Sequence, residues 1–415
     1  MIKRIAYTAV FFTLILFTTN AQDGSYSPYS YFKFGEEVES QSVRNYAMGH
    51  LNFYNDTLHF NLTLPSALAR LKLVNYAVAA SFDLFQIQSS EASGVSGVFS
   101  IPYVSLGIPV GNRAGLGFGF KPYSTSGYLI KKEFTGERVA KTGEGGLNRV
   151  FVSAGFNIFK GFNLGVAYNY YFGNKIARFV HHKDDVFAIT RQVDNAVYRG
   201  SGWHFSADYT RDLQNNLFLQ GGILYTLPAE LSSENTTTLE ISDSSFGTER
   251  IVQSITLRND TTYQSIPSTW SIGVGIGKKK HWFAGIEWQA EQWGAYRNDF
   301  FTTPQVSYRN ASVIKFGGFW IPDQRPHVKY YKRITYSAGF YHKNGDLLID
   351  NQPVNEFGIS FGLSLPMNYY FSNVNLGFEY VKRGDVLPGM TEENIIKFKI
   401  GLSFKDKWFI KRKIY

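Results

Sequence analysis

From residue 396 to residue 404 apolar and polar positions alternate without a break: Ile396, Phe398, Ile400, Leu402 and Phe404 against Lys397, Lys399, Gly401 and Ser403. A period of two is a strand period, and it gives this strand one greasy face and one ionic face. The pattern recurs. Phe162, Leu164, Val166, Tyr168, Tyr170 and Phe172 oppose Asn163, Gly165, Ala167 and Asn169. Trp282, Ala284, Ile286 and Trp288 oppose Gly285, Glu287 and Gln289, and Val374, Leu376, Phe378 and Tyr380 oppose Asn375, Gly377 and Glu379. Alternating segments cover 74–85, 95–110, 114–128, 148–159, 162–172, 203–210, 217–225, 268–276, 282–293, 312–320, 333–342, 355–364, 374–381 and 395–404. That is about 14 strands, an even number, as single-chain bacterial membrane barrels have.

The connections support the same reading. Short ones (111–113, 160–161, 212–216, 277–281, 321–332 and 365–373) alternate with long ones (129–147, 173–202, 226–267 and 382–394). A barrel with short periplasmic turns and long external loops gives this rhythm, with both barrel ends periplasmic. Residues 250–257 read as an extension inside a long loop, because a further wall strand there would break the phase. Aromatics sit near strand ends (Tyr168, Tyr170, Trp270, Trp282, Trp293, Tyr380), where an interfacial girdle belongs. A soluble sandwich would alternate too, but its outward face would be polar.

Composition narrows the choice. Aromatics make up 17% of the chain, glycines number 39, and there is no cysteine, so disulfides and thiolate metal sites are excluded. Lys3 and Arg4 precede an apolar run over 5–17, and Ala21 closes a small-residue cleavage pattern. Residues 1–21 therefore read as a signal peptide, the run being too short for a spanning helix. With no later helical span, the membrane solution left is a closed barrel. A formal net charge of +9 is scattered along the chain rather than gathered on one element, which argues against nucleic acid as a partner.

Residues 22–72 lack sustained alternation and carry Tyr26, Tyr29, Tyr31, Phe32, Phe34, Tyr46, Phe53, Tyr54 and Phe60. So aromatic a tract belongs inside the lumen of the 73–415 barrel, where it can be buried. The fold expected is all-β: a transmembrane antiparallel barrel with an N-terminal plug. Here the chain resembles the FadL-type outer-membrane barrels for long-chain fatty acids and other hydrophobic compounds, in the form found in Bacteroidota-like envelopes. The resemblance is carried by Ser27-Pro28-Tyr29-Ser30, Phe34-Gly35-Glu36, Ala47-Met48-Gly49 and Leu116-Gly117-Phe118-Gly119-Phe120-Lys121-Pro122-Tyr123-Ser124. It continues through 143–148, 355–363, 375–380 and 407–412. It implies a hatch filling a 14-stranded barrel and a lateral opening for hydrophobic ligands. Two departures touch the hatch: the family's Asn-Pro-Ala-Ser is Leu64-Pro65-Ser66-Ala67 here, and its Met-Gly-Gly is Met48-Gly49-His50.

The glycine runs 115–119 and 273–277 lie on strands, so their alternate glycines share one face and read as a slim inner wall rather than a phosphate loop. His181-His182 have no evident third ligand and read as a solvated loop. His204, Ser206 and Asp208 share a strand face at a spacing too wide for a nucleophile–base pair, and an enzyme is not expected. No cofactor or metal is implied. Ligand-binding candidates in the lumen and plug are Met48, Phe53, Phe60, Pro65, Lys121, Lys397 and Lys399, and Lys399→Arg is expected to be nearly silent. Two functions follow: passive uptake of hydrophobic or amphipathic molecules such as long-chain fatty acids, or a non-transporting barrel subunit of an outer-membrane secretion or assembly complex. The partners expected are outer-membrane lipids, a hydrophobic small molecule, the outer-membrane assembly machinery during insertion, and envelope proteins.

Overall fold

The computed structural model describes residues 25–39, 41–184, 186–243, 250–298, 300–301, 305–325, 327–367, 373–406 and 408. The predicted signal peptide lies outside them. Fourteen strands close into a ring in which every neighbour is antiparallel. They are β1 Val74–Gln88, β2 Ser93–Val110, β3 Ala114–Phe134, β4 Glu137–Phe159, β5 Phe162–Lys183, β6 Ala188–Asp212 and β7 Leu217–Thr226. Then follow β8 Thr269–Lys278, β9 Trp282–Glu291, β10 Ala311–Trp320, β11 Thr335–Asn344, β12 Glu356–Pro366, β13 Asn373–Arg383 and β14 Glu392–Asp406. The ring closes where β1 pairs β14, from Val74↔Asp406 to Gln88↔Glu392. Each alternating segment of the sequence is one wall strand.

Closure matters because hydrocarbon offers backbone groups no partner. The outward residues of β14 (Phe398, Ile400, Leu402 and Phe404) are exposed, while Lys397, Lys399, Gly401, Ser403 and Lys405 are buried on the lumen side. Outward aromatics and aliphatics of this kind recur around the ring and form an apolar belt suited to lipid. Strands β7 to β13 are ten or eleven residues long, the length that crosses a bilayer at a tilt.

Strands β3 to β6 run to 21, 23, 22 and 25 residues. Residues 129–134, 137–147, 173–183 and 188–202, expected as parts of loops, are strand extensions that continue past the belt. β3 turns into β4 at Phe134↔Glu137. The two-residue rhythm fades there because both faces of an extension meet water, as Lys131, Lys132 and Glu133 show by their exposure. The 226–267 connection holds a hairpin, Ala229–Asp243 with Arg250–Ile266, whose first strand pairs the extension of β6. The hairpin is not part of the ring, since Thr226 pairs Thr269 directly.

One seam of the ring is incomplete. β2 and β3 pair only from Val104↔Phe120 to Val110↔Ala114. Above that point β3 shifts register between Pro122 and Ser124 and turns inward, burying Ser124, Ser126, Gly127 and Tyr128. A proline cannot donate to a ladder, so Pro122 sits where pairing ends.

Candidate functional site: the filled lumen

The lumen is occupied by the chain's own residues 25–39 and 41–73. Two short helical turns, Val43–Tyr46 and Pro65–Arg70, fix its lower part, and the first is capped by Ser42, whose Oγ accepts from Asn45 N. Plug backbone meets the wall closely at several inward glycines. A Cβ on Gly165 would stand 2.1 Å from Ser66 N, one on Gly317 2.1 Å from Met48 O, and one on Gly339 2.0 Å from Gly49 N. No side chain fits such gaps, so the strand glycines form a seat cut to the plug. The expected slim inner wall is present: Gly115 faces Leu68, Gly117 faces Phe60 and Gly273 faces Phe53.

Polar groups lock what the glycines admit. Glu287 accepts from Asn52 N and Asn52 Nδ2 at 2.7 Å each and from Lys315 Nζ at 3.0 Å. Gly49 N donates to Ser360 Oγ at 2.9 Å, and Ser66 N to Ser206 Oγ at 2.8 Å. Arg70 reaches Asp208 at 2.8 Å. His204, Ser206 and Asp208 therefore serve different partners, His204 lying 3.5 Å from the Tyr171 hydroxyl.

His50, which stands where the family resemblance has glycine, keeps the left-handed backbone that glycine would adopt, with φ 64°. Its ring compensates by bridging two carboxylates, Nε2 to Glu379 at 2.5 Å and Nδ1 to Glu39 at 3.0 Å. Burial pushes the Glu39 carboxyl upward, but His50, Lys397 and Lys399 together hold it below its ordinary value. Glu39, His50 and Glu379 have the composition of a metal site. Lys397 lies 4.0 Å from Glu379, and Lys399 donates to Glu39 O at 3.2 Å. The two ammonium groups already balance the carboxylates, which disfavours a divalent cation.

The second departure is also compensated. Asn61, three residues before Leu64, accepts from Thr63 N at 3.0 Å and Leu64 N at 3.1 Å and donates to Asn52 O at 2.6 Å. Farther down, His59 presents Nδ1 to Asp56 at 2.7 Å, while its Nε2 faces Asn373 Nδ2 and Lys405 Nζ, each at 2.9 Å. Two donors on Nε2 require it to accept, so the ring is neutral. Burial is the main force holding its pKa down to about 4, against the upward pull of Asp56.

The upper plug is ionic. Arg383 pairs Glu36 at 2.7 Å, Glu356 at 2.5 Å and Glu393 at 3.2 Å, and Lys33 pairs Asp346 at 2.8 Å. The short strand Glu36–Glu37 pairs Thr125 and Ser124 of β3, and Val38 N donates to Tyr123 O at 2.9 Å. Thus β3, having left β2, takes the plug as its neighbour. Ser126 Oγ and Gly127 N extend that contact to Ser30.

What remains between plug and wall is a cavity of about 320 Å³ lined by charged and polar side chains with aromatic rings. Among the predicted ligand residues, Pro65, Lys121 and Lys397 line it. Lys121 donates to Leu62 O at 3.0 Å. Met48 is buried in a cluster with Leu51, Phe218, Phe283 and Phe319, Phe53 with Leu64 and Leu224, and Phe60 with Leu71 and Phe151. Lys399 lies 3.8 Å over the Tyr46 ring, a placement that removes the expectation that Lys399→Arg is silent. Sequence reading missed Glu39, His50, Arg383, Glu356 and Glu393. Their signal was charge at inward strand positions and at a glycine's place in the hatch.

A family model described as BamG matches residues 1–415. No curated protein matches the chain in sequence. Among solved structures, a Pseudomonas aeruginosa FadL homologue aligns with TM-score 0.61 at 10% identity, over 89% of this chain and 99% of that one. The P. putida toluene transporter TodX aligns with TM-score 0.60 at 10% identity, over 90% and 100%. The Ralstonia pickettii toluene transporter TbuX aligns with TM-score 0.59 at 12% identity, over 89% and 99%. The architecture is that of the FadL-type barrels.

Proposed function

The chain belongs to the BamG family, and from that premise we propose that it is an outer-membrane barrel whose lumen is permanently sealed, serving as a structural subunit of an envelope complex. One observation carries the reading: the plug is tied to the wall at successive levels, by the Arg70–Asp208 ion pair, the Asn52–Glu287 hydrogen bonds and the strand pairing of Glu36 with Thr125. A carrier's plug must hold an apolar pocket and shift to release its contents. Here the apolar side chains Met48, Phe53 and Phe60 are packed against the wall, and charged side chains such as Lys121, Arg383 and Lys397 line the remaining cavity beside its aromatic rings. Orientation follows from the connections, with the short turns periplasmic and the extensions of β3 to β6 outside the cell.

A second reading is passive uptake of hydrophobic or amphipathic molecules such as long-chain fatty acids. The shared architecture with the toluene transporters TodX and TbuX favours it. Deleting residues 42–63 distinguishes the two. In a sealed subunit the deletion leaves hydrophobic uptake unchanged and lowers the mass of the native-gel complex. In a transporter it abolishes saturable uptake and leaves the complex mass as it was. Purification of the full chain from native membranes gives an independent check: a stable co-purifying protein supports the subunit, and lipid bound in the lumen supports the carrier.

A further inference from the structure

The outward face of the wall carries a depression across three adjacent strands. Ala284 on β9 stands opposite Gly318 on β10, and Gly318 stands opposite Ala338 on β11, so one row holds three small residues. Phe361 on β12 continues the row with a large ring. On β10, Phe316 bounds it on one side and Trp320 on the other, toward the short turn. The result is an outward-opening apolar trough of about 1110 Å³ that extends past Phe361 to Phe398 on β14.

The mouth of the trough is basic. The turn from β10 into β11 carries Lys329, Lys332 and Arg333, and its one acid, Asp323, is engaged by Arg325 at 2.7 Å. The turn therefore keeps an excess of positive charge, with Lys329 and Lys332 exposed. Two tyrosines seat it against the wall strands: Tyr336 Oη donates to Tyr331 O at 2.9 Å, and Tyr330 Oη donates to Pro366 O, at the end of β12, at 3.3 Å. The neighbouring turn adds the exposed Lys280 and is tied to the first by Ile321 N, which donates to His281 O at 2.6 Å.

Fluid lipid fills any hollow in such a belt, and what distinguishes this one is its rim. We propose that the trough and the 329–333 turn together form a site for one anionic phospholipid, its head-group phosphate on the lysines and arginine and an acyl chain along Ala284, Gly318 and Ala338. Basic side chains at a membrane surface attract anionic head groups. Arg333 lies five residues from Ala338, about 17 Å of extended chain, close to the ~15 Å depth of one hydrocarbon leaflet. A zwitterionic lipid would gain the trough with little from the rim. The site does not depend on whether the lumen opens. It takes from the reading above only that the short turns are periplasmic, which puts the lipid in the periplasmic leaflet.

Native mass spectrometry of the delipidated full chain in detergent tests the site, with dioleoyl phosphatidylglycerol and dioleoyl phosphatidylcholine as probes. One phosphatidylglycerol should be retained per chain, about tenfold better than phosphatidylcholine. Each of Lys329→Gln, Lys332→Gln and Arg333→Gln should weaken that retention about fivefold. Ala338→Trp and Ala284→Trp fill the floor and should each abolish it. Ala154→Trp, outward on β4 between Leu116 and Val166, makes the same change elsewhere on the wall and should leave it intact. Heat-modifiable migration identifies the variants whose barrel has closed, and two separate fillings keep the floor testable if one fails to assemble. Equal retention of the two lipids, unchanged retention in all three glutamine variants, or equal loss in Ala154→Trp and the floor variants would mean lipid held nonspecifically around the belt, and each overturns the proposal. Retention is read on the purified chain, so failure of the sealed-barrel reading leaves these outcomes unchanged.

Discussion

The two faces of the wall obey different rules although each strand writes both. Outward positions need only be apolar: Phe398, Ile400, Leu402 and Phe404 meet a fluid solvent that tolerates any greasy shape. Inward positions are matched one by one to the plug. Gly317 is there because Met48 O lies where a side chain would stand, and Glu287 because Asn52 and Lys315 donate to it. The contrast teaches that membrane insertion and sealing are separable. The outside suits a barrel to lipid, and the inside fixes where the plug sits.

The largest effect is expected inside. Glu287→Ala leaves Lys315 buried without its carboxylate and frees two Asn52 donors, at a cost of about 3–5 kcal/mol. The midpoint of the heat-modifiable transition in detergent measures it, and an unchanged midpoint would mean that this buried pair is not stabilising. Outside, Phe398→Arg should cost about 2–4 kcal/mol near the bilayer centre, while Ile400→Leu should be silent. If Ile400→Leu cost as much, the outer face would be shape-matched like the inner one.

Next, Gly317→Val forces the plug from its seat and should cost about 1–3 kcal/mol. Limited proteolysis within residues 43–51 reads it. Acidification comes next. His59 has a folded-state pKa of about 4, below its ordinary value of 6.5, so the fold prefers the neutral ring. That stability is complete above about pH 6.5 and is lost as pH falls toward 4, on the order of 1–3 kcal/mol for the lower plug. Amide exchange at residues 56–60 should therefore accelerate across that window, and His59→Gln should flatten the response. The smallest effect is Lys399→Arg: about 1 kcal/mol is expected, because the larger guanidinium must replace an ammonium seated over Tyr46.

The outer face was legible in the sequence because lipid imposes a simple two-state code at a period of two. All fourteen wall strands and the phase of the short turns followed from it. The extensions of β3 to β6 were not legible, since water on both faces erases the alternation. The inner face was half legible. The glycine runs announced a close approach, and Lys397 and Lys399 announced inward charge. Which plug atom each would meet depends on contacts hundreds of residues apart, such as His50 with Glu379 and Ser27 with Glu393. Those pairings have no local signature. Lys399 shows the limit clearly, because the alternation placed its side chain inward but gave no hint of the Tyr46 ring beneath it.

The central claim is that the plug is a fixed part of the barrel, and hydrogen exchange of the native full chain in lipid tests it most directly. Amides of 43–71 should be protected to the same degree as those of β9 and β10, the strands that hold Glu287 and Gly317, and exchange only with them. Exchange of 43–71 that is orders of magnitude faster than the wall, with the wall itself intact, would show a plug that opens locally and would contradict the sealed barrel.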